Sequence, residues 1–461
     1  MHIKLRLSQD IYKKLKQHLF PGDNLESVGI LLCGRRKGDI DHCLTAHRLH
    51  LIPYAECKVR RSDQVIWATQ SIVPLLEKAS RYDLAILKVH SHPNSFPQFS
   101  EIDDKSDREF FNSVFSWTDS AFPHASAIML PDGQMFGRAI LPTGSFQQLD
   151  SILVAGDDLN FWTPNNTGTT PNFTSRHAQL FGKGTTRKLQ DLSIAVVGCS
   201  GTGSPVIEQL ARLGVGRLVL VDPDTIEEKN LNRILNSTRE DANVNRPKVE
   251  VMARAIASMG FTTKVETISE DLATPRAVKA VAECDIVFGC MDGIEGRNLL
   301  NRLAAFYVLP YFDLGVRLDA DGQGGITGVN GTIHYLRPDR STLLERKAYT
   351  TEKLSAASLR RTSPEAYRNQ VDAGYIRGGV DEDRPAVISI NMQIASMAVN
   401  EFLARLHPYR TDNNSEFATI RVNFGNWAFI KTPEEAEESR FSREIGRGDK
   451  QPLLSMPELS E

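Results

Sequence analysis

Nowhere in the 461 residues do two cysteines stand in a C-x-x-C pair, and the six present, Cys33, Cys43, Cys57, Cys199, Cys284 and Cys290, are scattered. That spacing speaks against a disulfide scaffold and against a zinc site built from paired thiolates. Their default role is that of small buried hydrophobes. Also missing is any apolar run near the roughly 20 residues that a membrane span requires, and the start MHIKLRLSQDIYKKLKQ lacks the apolar core of a signal peptide. The expected location is the cytoplasm, with no membrane partner. A surplus of charge of one sign is absent too: 54 Lys and Arg stand against 57 Asp and Glu, a formal net charge of −3. This argues against a broad nucleic-acid or membrane face, since such partners are held largely by excess cations. No internal repeat is found.

What is present is globular: 41% hydrophobic and 24% charged residues, in a chain whose length suggests two to four domains at roughly 100–200 residues each. Residues 1–145 mix short strands and helices. The stretch NFWTPNNTGTTPNFTS (160–175) then drops into Asn, Thr and Pro with almost no apolar period, so residues 146–175 are expected to be a linker. A second unit is expected over residues 176–431, and a flexible polar tail over 432–461.

Two of the chain's 11 histidines stand one residue apart in VHSHPNSFPQFSEIDD, residues 89–104. The preceding LAILKV reads as a buried strand, and in a strand residues i and i+2 point to one face, so His90 and His92 can aim their imidazoles at one point. That is a metal-ligand geometry. Pro93 ends the strand, and a loop rich in Asn, Ser and Pro leads to Ser100 and Asp103. Three N or O ligands with one open position make a catalytic zinc arrangement, and a carboxylate beside the bound water can take its proton.

The pattern H-x-H-P-x6-S-x2-D, preceded by Glu26 and Gly29 in LESVGILLCGRR, resembles the JAMM (JAB/MPN) zinc metallopeptidases over about residues 1–145. The resemblance implies an α/β metallopeptidase fold in which His90, His92 and Asp103 ligate zinc, Glu26 is the general base and acid, and Ser100 steadies the oxyanion.

The second unit opens with LSIAVVGCSGTGSPVIEQLARLGVGRLVLVDPD, which reads as strand, glycine turn, amphipathic helix and strand. Further alternation (VEVMARAIASMG, DIVFGCMD, RNLLNRLAAFYV, PYFDLGV) implies an α/β fold with a largely parallel sheet and helices on both faces. Gly198, Gly201 and Gly203 let backbone approach a phosphate at a helix N-terminus. The signal is weak alone, because Ser200 stands at a usual glycine of G-x-G-x-x-G. It is sharpened by VLVDPDTIEEKNLNRI, NRPKVEV and CMDGIEGRNLLNR: an Asp at the end of the second strand accepts from ribose hydroxyls, and the following Arg and Lys can neutralise a triphosphate.

Together these segments resemble the ThiF/MoeB-like adenylyltransferases, the superfamily of ubiquitin-activating enzymes, over about residues 175–430. The resemblance implies that Asp222 or Asp224 meets the ribose of ATP, that Arg233 and Lys248 meet its phosphates, and that Asp292 holds Mg2+. Arg176 would be an arginine finger donated across a homodimer. The chain departs from many members in having no cysteine after residue 290, so the crossover region 337–380 offers no thioester-forming thiol. The expectation is a bifunctional enzyme of a bacterial ubiquitin-like modification or antiviral defence pathway. It would adenylate the C-terminal glycine of a β-grasp ubiquitin-like protein and cleave after that glycine, with a separate conjugating enzyme as a possible partner. The alternative is activation of a sulfur-carrier protein for cofactor or siderophore synthesis. An inactive scaffold binding a ubiquitin-like protein is the third reading.

Overall fold

The computed structural model describes residues 1–38, 41–164, 171–373, 386–436 and 438–460. The chain divides into a first unit of residues 1–169, 305–308 and 441–461 and a second of residues 170–304 and 309–440.

The first unit runs β1 (His2–Ser8), α1 (Gln9–Leu19), β2 (Val28–Arg36), β3 (Asp41–Leu51), β4 (Cys57–Arg60), β5 (Val65–Trp67), α2 (Val73–Tyr82), β6 (Ala85–Ser91), α3 (Glu101–Thr118), β7 (His124–Met129), β8 (Met135–Ile140), β9 (Phe146–Gln148), β10 (Ser151–Ala155) and β11 (Leu159–Trp162). Strands β4 and β5 pair with each other, and the rest form a nine-stranded mixed sheet in the order β11-β10-β1-β3-β2-β6-β7-β8-β9. Strands β2 and β6 are buried along their whole length, because both faces of the sheet are covered. The two-residue period sorts their side chains. Leu31, Cys33, Leu87 and Val89 pack with Leu15 and Leu19 of α1, whereas Ile30, Leu32 and Ile86 pack with Leu76 of α2 and Phe111 of α3. By the same period, Lys88, His90 and His92 face the α3 side.

The expected linker is largely structured. Strands β9, β10 and β11 fall within it and complete the first sheet, with β10 running parallel to β1. The five residues SILVA are all buried, but so short an apolar run does not stand out beside an Asn, Thr and Pro cluster. Residues 165–170 of that stretch lie outside the described residues. The expected flexible tail also packs in its last part. Gly446 accepts hydrogen bonds at its carbonyl from Gly34 N (3.0 Å) and Thr45 Oγ1 (3.1 Å), and Leu453, Leu454 and Leu459 are fully buried. Its apolar residues are too few and too irregular to show a helical or strand period, and so the sequence there reads as solvated.

The second unit runs α4 (Ser175–Asp191), β12 (Ser193–Val197), α5 (Gly203–Arg212), β13 (Arg217–Val221), α6 (Arg239–Asn243), α7 (Lys248–Met259), β14 (Lys264–Ile268), α8 (Pro275–Glu283), β15 (Ile286–Gly289), α9 (Ile294–Tyr307), β16 (Tyr311–Ala320), β17 (Ile326–Leu336), α10 (Thr351–Thr362), α11 (Pro364–Asp372), α12 (Ile388–Leu406), β18 (Thr419–Asn423) and β19 (Ala428–Thr432). Its eight-stranded sheet has the order β14-β13-β12-β15-β16-β17-β18-β19. Pairing is parallel from β14 to β16 and antiparallel from β16 to β19. This is an α/β, Rossmann-like sheet with an antiparallel extension. The chain winds outward from β12 through β13 to β14, then returns to β15 on the other side of β12. That reversal opens a crevice beyond the carboxyl ends of β12 and β15, where open α/β sheets bind ligands.

Candidate active sites

In the first unit, register builds the site. Strands β2 and β6 pair antiparallel with Val28 opposite His90, so continuing the ladder by two residues sets Glu26 opposite His92 on the same face. Ser27 and Ser91 extend that pairing, with Ser91 N donating to Ser27 O at 3.1 Å and Ser27 N to Ser91 Oγ at 3.0 Å. Glu26 Oε1 lies 3.9 Å from His92 Nε2, and its backbone N–H donates to Arg61 O at 2.7 Å. Asp103 arrives from α3. Ser100 is the N-cap of that helix and Asp103 closes a capping box. Ser100 N and Oγ both donate to Asp103 Oδ2 at 2.7 Å. This leaves Asp103 Oδ1 to face His90 Nε2 at 3.0 Å. The hydroxyl of Ser100 thus orients the Asp103 carboxylate.

The donor set fits zinc. The nitrogens His90 Nε2 and His92 Nε2 are 3.2 Å apart, and the Asp103 carboxylate lies 3.5 Å from His92 Nε2 through Oδ2 and 3.0 Å from His90 Nε2 through Oδ1. Ligands at Zn–N and Zn–O distances of about 2.0–2.2 Å in a tetrahedron stand about 3.3–3.5 Å from one another, and these three side chains come near that spacing. Among the described residues these three form a group able to hold a metal ion. His92 Nδ1 donates to Phe96 O at 2.8 Å, which fixes its ring and leaves Nε2 free to ligate. Burial pushes the Glu26 carboxyl up to about 7, the range a general base needs at neutral pH. Burial would also raise Asp103, but His90 and His92 outweigh it and hold that carboxyl far below the usual range.

Near His90 and Asp103 on β6 and α3 lies a buried charge cluster that the sequence reading passed over. The Lys88 ammonium pairs with Asp107, and Arg138 of β8 donates to Asp107 Oδ2 through Nε (3.1 Å) and Nη2 (2.7 Å). A lysine inside the apolar LAILKV and an aspartate one helical turn after Asp103 were the available signals.

In the second unit, Gly198 follows β12 with φ +93°, and a Cβ there would press on the backbone of Cys290 and Met291. A Cβ on Gly203 would overlap the carbonyl of Gly198, so the turn into α5 requires both glycines. The loop therefore sits against the end of β15, just before the exposed Asp292. The two aspartates left open by the sequence part company. Asp222 is buried, and its carboxylate accepts from the N–H groups of Cys199 (2.6 Å) and Asp224 (2.9 Å). Asp224 is largely exposed and pairs with Lys248 Nζ at 2.6 Å. Lys248 starts α7 and is 6% exposed. Arg233 lies beside Gly201, and its guanidinium donates to Lys229 O at 2.7 Å. Arg176 is exposed on α4 and donates to Gln179 Oε1 at 3.4 Å, within its own helix. Asn391, which the sequence reading did not single out, reaches Gly201 from α12.

Residues 174–441 match the model of the ThiF family, and residues 8–136 match that of the prokaryotic homologs of the JAB domain. Adenylyltransferase and sulfurtransferase UBA4 of Yarrowia lipolytica is 34% identical over 143 residues, which cover 31% of this chain and 35% of that protein. Ubiquitin-like modifier-activating enzyme 5 of Drosophila virilis is 29% identical over 163 residues, covering 33% and 38%. Each match spans well under half of the relative's length. Among solved structures, E. coli MccB with succinimide shares 19% identity at a TM-score of 0.45, with 59% of this chain and 73% of that one covered.

Proposed function

The chain belongs to the ThiF family, and from that premise we propose a bifunctional enzyme that activates a β-grasp ubiquitin-like protein with ATP and cuts after the same protein's C-terminal glycine. The observation that carries this reading is that each unit holds its own set of groups. His90, His92, Asp103 and Glu26 meet in the first. The glycine loop, Asp224, Arg233, Lys248 and the β15 end bearing Asp292 gather at the crevice of the second.

In the adenylation reaction, Asp224 receives the ribose hydroxyls, while Arg233 and Lys248 offset the triphosphate charge. The carboxylate of the terminal glycine attacks the α-phosphorus, the bond to the β-phosphate oxygen breaks, and pyrophosphate leaves with an acyl-adenylate formed. Asp292 would hold Mg2+, which would offset charge on the phosphates. In the peptidase unit, His90, His92 and Asp103 would hold zinc, which supplies Lewis acidity and a bound water of pKa near about 7. Glu26 takes a proton at its carboxylate and returns it to the leaving amine nitrogen. Ser100 keeps Asp103 in place through its hydroxyl.

Activity as a homodimer with Arg176 acting across the interface, a conjugating-enzyme partner and a role in bacterial antiviral defence belong to the same reading. No helix among the described residues is long and apolar enough to cross a membrane. A sulfur-carrier protein as the substrate is the second reading, supported by the name of the Yarrowia relative, an adenylyltransferase and sulfurtransferase. Two assays on the full chain test the proposal. ATP–pyrophosphate exchange should require a Gly-terminated β-grasp protein, and cleavage of a C-terminal extension of that protein should stop with a zinc chelator. The Glu26→Ala variant should lose cleavage while zinc content and exchange persist; cleavage retained by that variant would remove Glu26 from the mechanism.

A further inference from the structure

Asn391 lies in the first turn of α12, a helix of 19 residues, and is 4% exposed. Its side chain makes no hydrogen bond to any described residue. The amide nitrogen occupies the space above Gly201 that a side chain there would fill, and Cδ of Arg233 reaches the same point at 3.3 Å. The residue is confined, yet its amide is not among the polar atoms sealed from solvent without a partner, so a ligand that supplies an acceptor can take the place of water there. The N-terminus of α12 has no side-chain cap on its first N–H groups. In α5 those groups are largely committed, since Ser204 N donates to Ser200 O at 2.8 Å and Pro205 has no N–H. An amide nitrogen against the glycine loop, with the Arg233 side chain beside it, describes a site for an anionic oxygen.

We infer that Asn391 donates its amide to the phosphate chain of the bound nucleotide, so that α12 completes the nucleotide site at Gly201 of the glycine loop. The inference rests on the adenylation reading and extends it to a residue from a different part of the chain. Arg233 next to Asn391 favours phosphate over the carboxylate of the carrier protein, because the cationic groups of the crevice gather there.

The test is titration of the full-length chain with Mg·ATP, without any carrier protein, for wild type, Asn391→Ala and Asn391→Asp. Loss of a hydrogen bond to a charged acceptor should weaken ATP binding about tenfold or more in the alanine variant. Aspartate keeps the shape and adds a negative charge facing phosphate, so Asn391→Asp should bind ATP more weakly than Asn391→Ala while melting near wild type. A packing role gives the opposite ranking, because the isostere fills the space and alanine does not; that order would overturn the inference. Wild-type affinity in both variants would overturn it too. So would a defect seen only in exchange with the carrier present, since this would put the amide at the carboxylate. Failure of the wild-type chain to bind ATP overturns the adenylation reading together with this inference, whereas wild-type binding with unaffected variants overturns this inference alone.

Discussion

Asp107→Ala removes the carboxylate that Lys88 and Arg138 share near His90 and Asp103. In the first unit Asp107 is fully buried, Lys88 is 3% exposed and Arg138 is 7% exposed. After the substitution Lys88 retains Ser106 Oγ at 3.3 Å and the Trp67 ring at 5.9 Å, and Arg138 retains Asp104 and the rings of Phe99 and Phe146. Removing one partner of a buried pair strands a charge in low dielectric and costs about 3–5 kcal/mol. At about 2–4 °C per kcal/mol for a unit of this size, the melting temperature should fall by about 6–20 °C. Trp67, Trp117 and Trp162 lie in this unit and Trp427 in the other, so tryptophan fluorescence chiefly follows the unit that carries the change. Lys88 precedes His90 by two residues on one strand face, and Asp107 follows Asp103 by one helical turn. The same substitution should therefore loosen Asp103 and weaken zinc binding by about 10–100-fold. Lys88→Met combined with Asp107→Leu removes both charges at similar volume and should recover most of the stability. Burial would raise the Asp107 carboxyl, but Lys88 and Arg138 outweigh it and hold it below its usual value. A depressed carboxyl contributes stability above its unfolded pKa of about 3.9 and loses it as pH falls through the lower folded value, so wild type and variant should converge below about pH 4. A variant melting within about 2 °C of wild type at neutral pH, or a double variant less stable than the single, would refute the reasoning.

Two further outcomes follow from the second unit. Asp292→Ala should slow ATP–pyrophosphate exchange on the order of a hundredfold or more, as expected when the carboxylate holding Mg2+ is lost, with zinc content and peptidase cleavage unchanged; exchange at the wild-type rate would remove Asp292 from the site. With ATP, Mg2+ and the mature carrier, the enzyme should form a bound acyl-adenylate and no thioester to itself. Cys199 and Cys284 are fully buried and Cys290 is 7% exposed, and burial pushes the Cys199 and Cys290 thiols up, away from the reactive thiolate. A dithiothreitol-sensitive band on a non-reducing gel that disappears on mutating Cys284 or Cys290 would refute this.

Local pattern was enough for much of this protein. The H-x-H-P motif on an apolar strand, the Ser and Asp at a helix start, and the strand, glycine turn and helix after Leu192 are each determined within a few residues, because strand period, capping and glycine turns are short-range physics. Two units and an α/β fold were legible for the same reason. Pairing between distant segments was not. That Glu26 faces His92 depends on the register of β2 on β6. That Asp222 clamps the glycine loop while Asp224 stays accessible depends on where backbone N–H groups happen to point. The strands β9 to β11 and the buried leucines near the C-terminus carry too little apolar signal to be seen alone, and become ordered because the first unit offers them unpaired edges and apolar surface. Lys88, Asp107, Arg138 and Asn391 are ordinary polar residues in the sequence. Tertiary structure made them notable by taking them out of water, where a charge or an amide is stable only beside a partner, and partners are chosen by the fold.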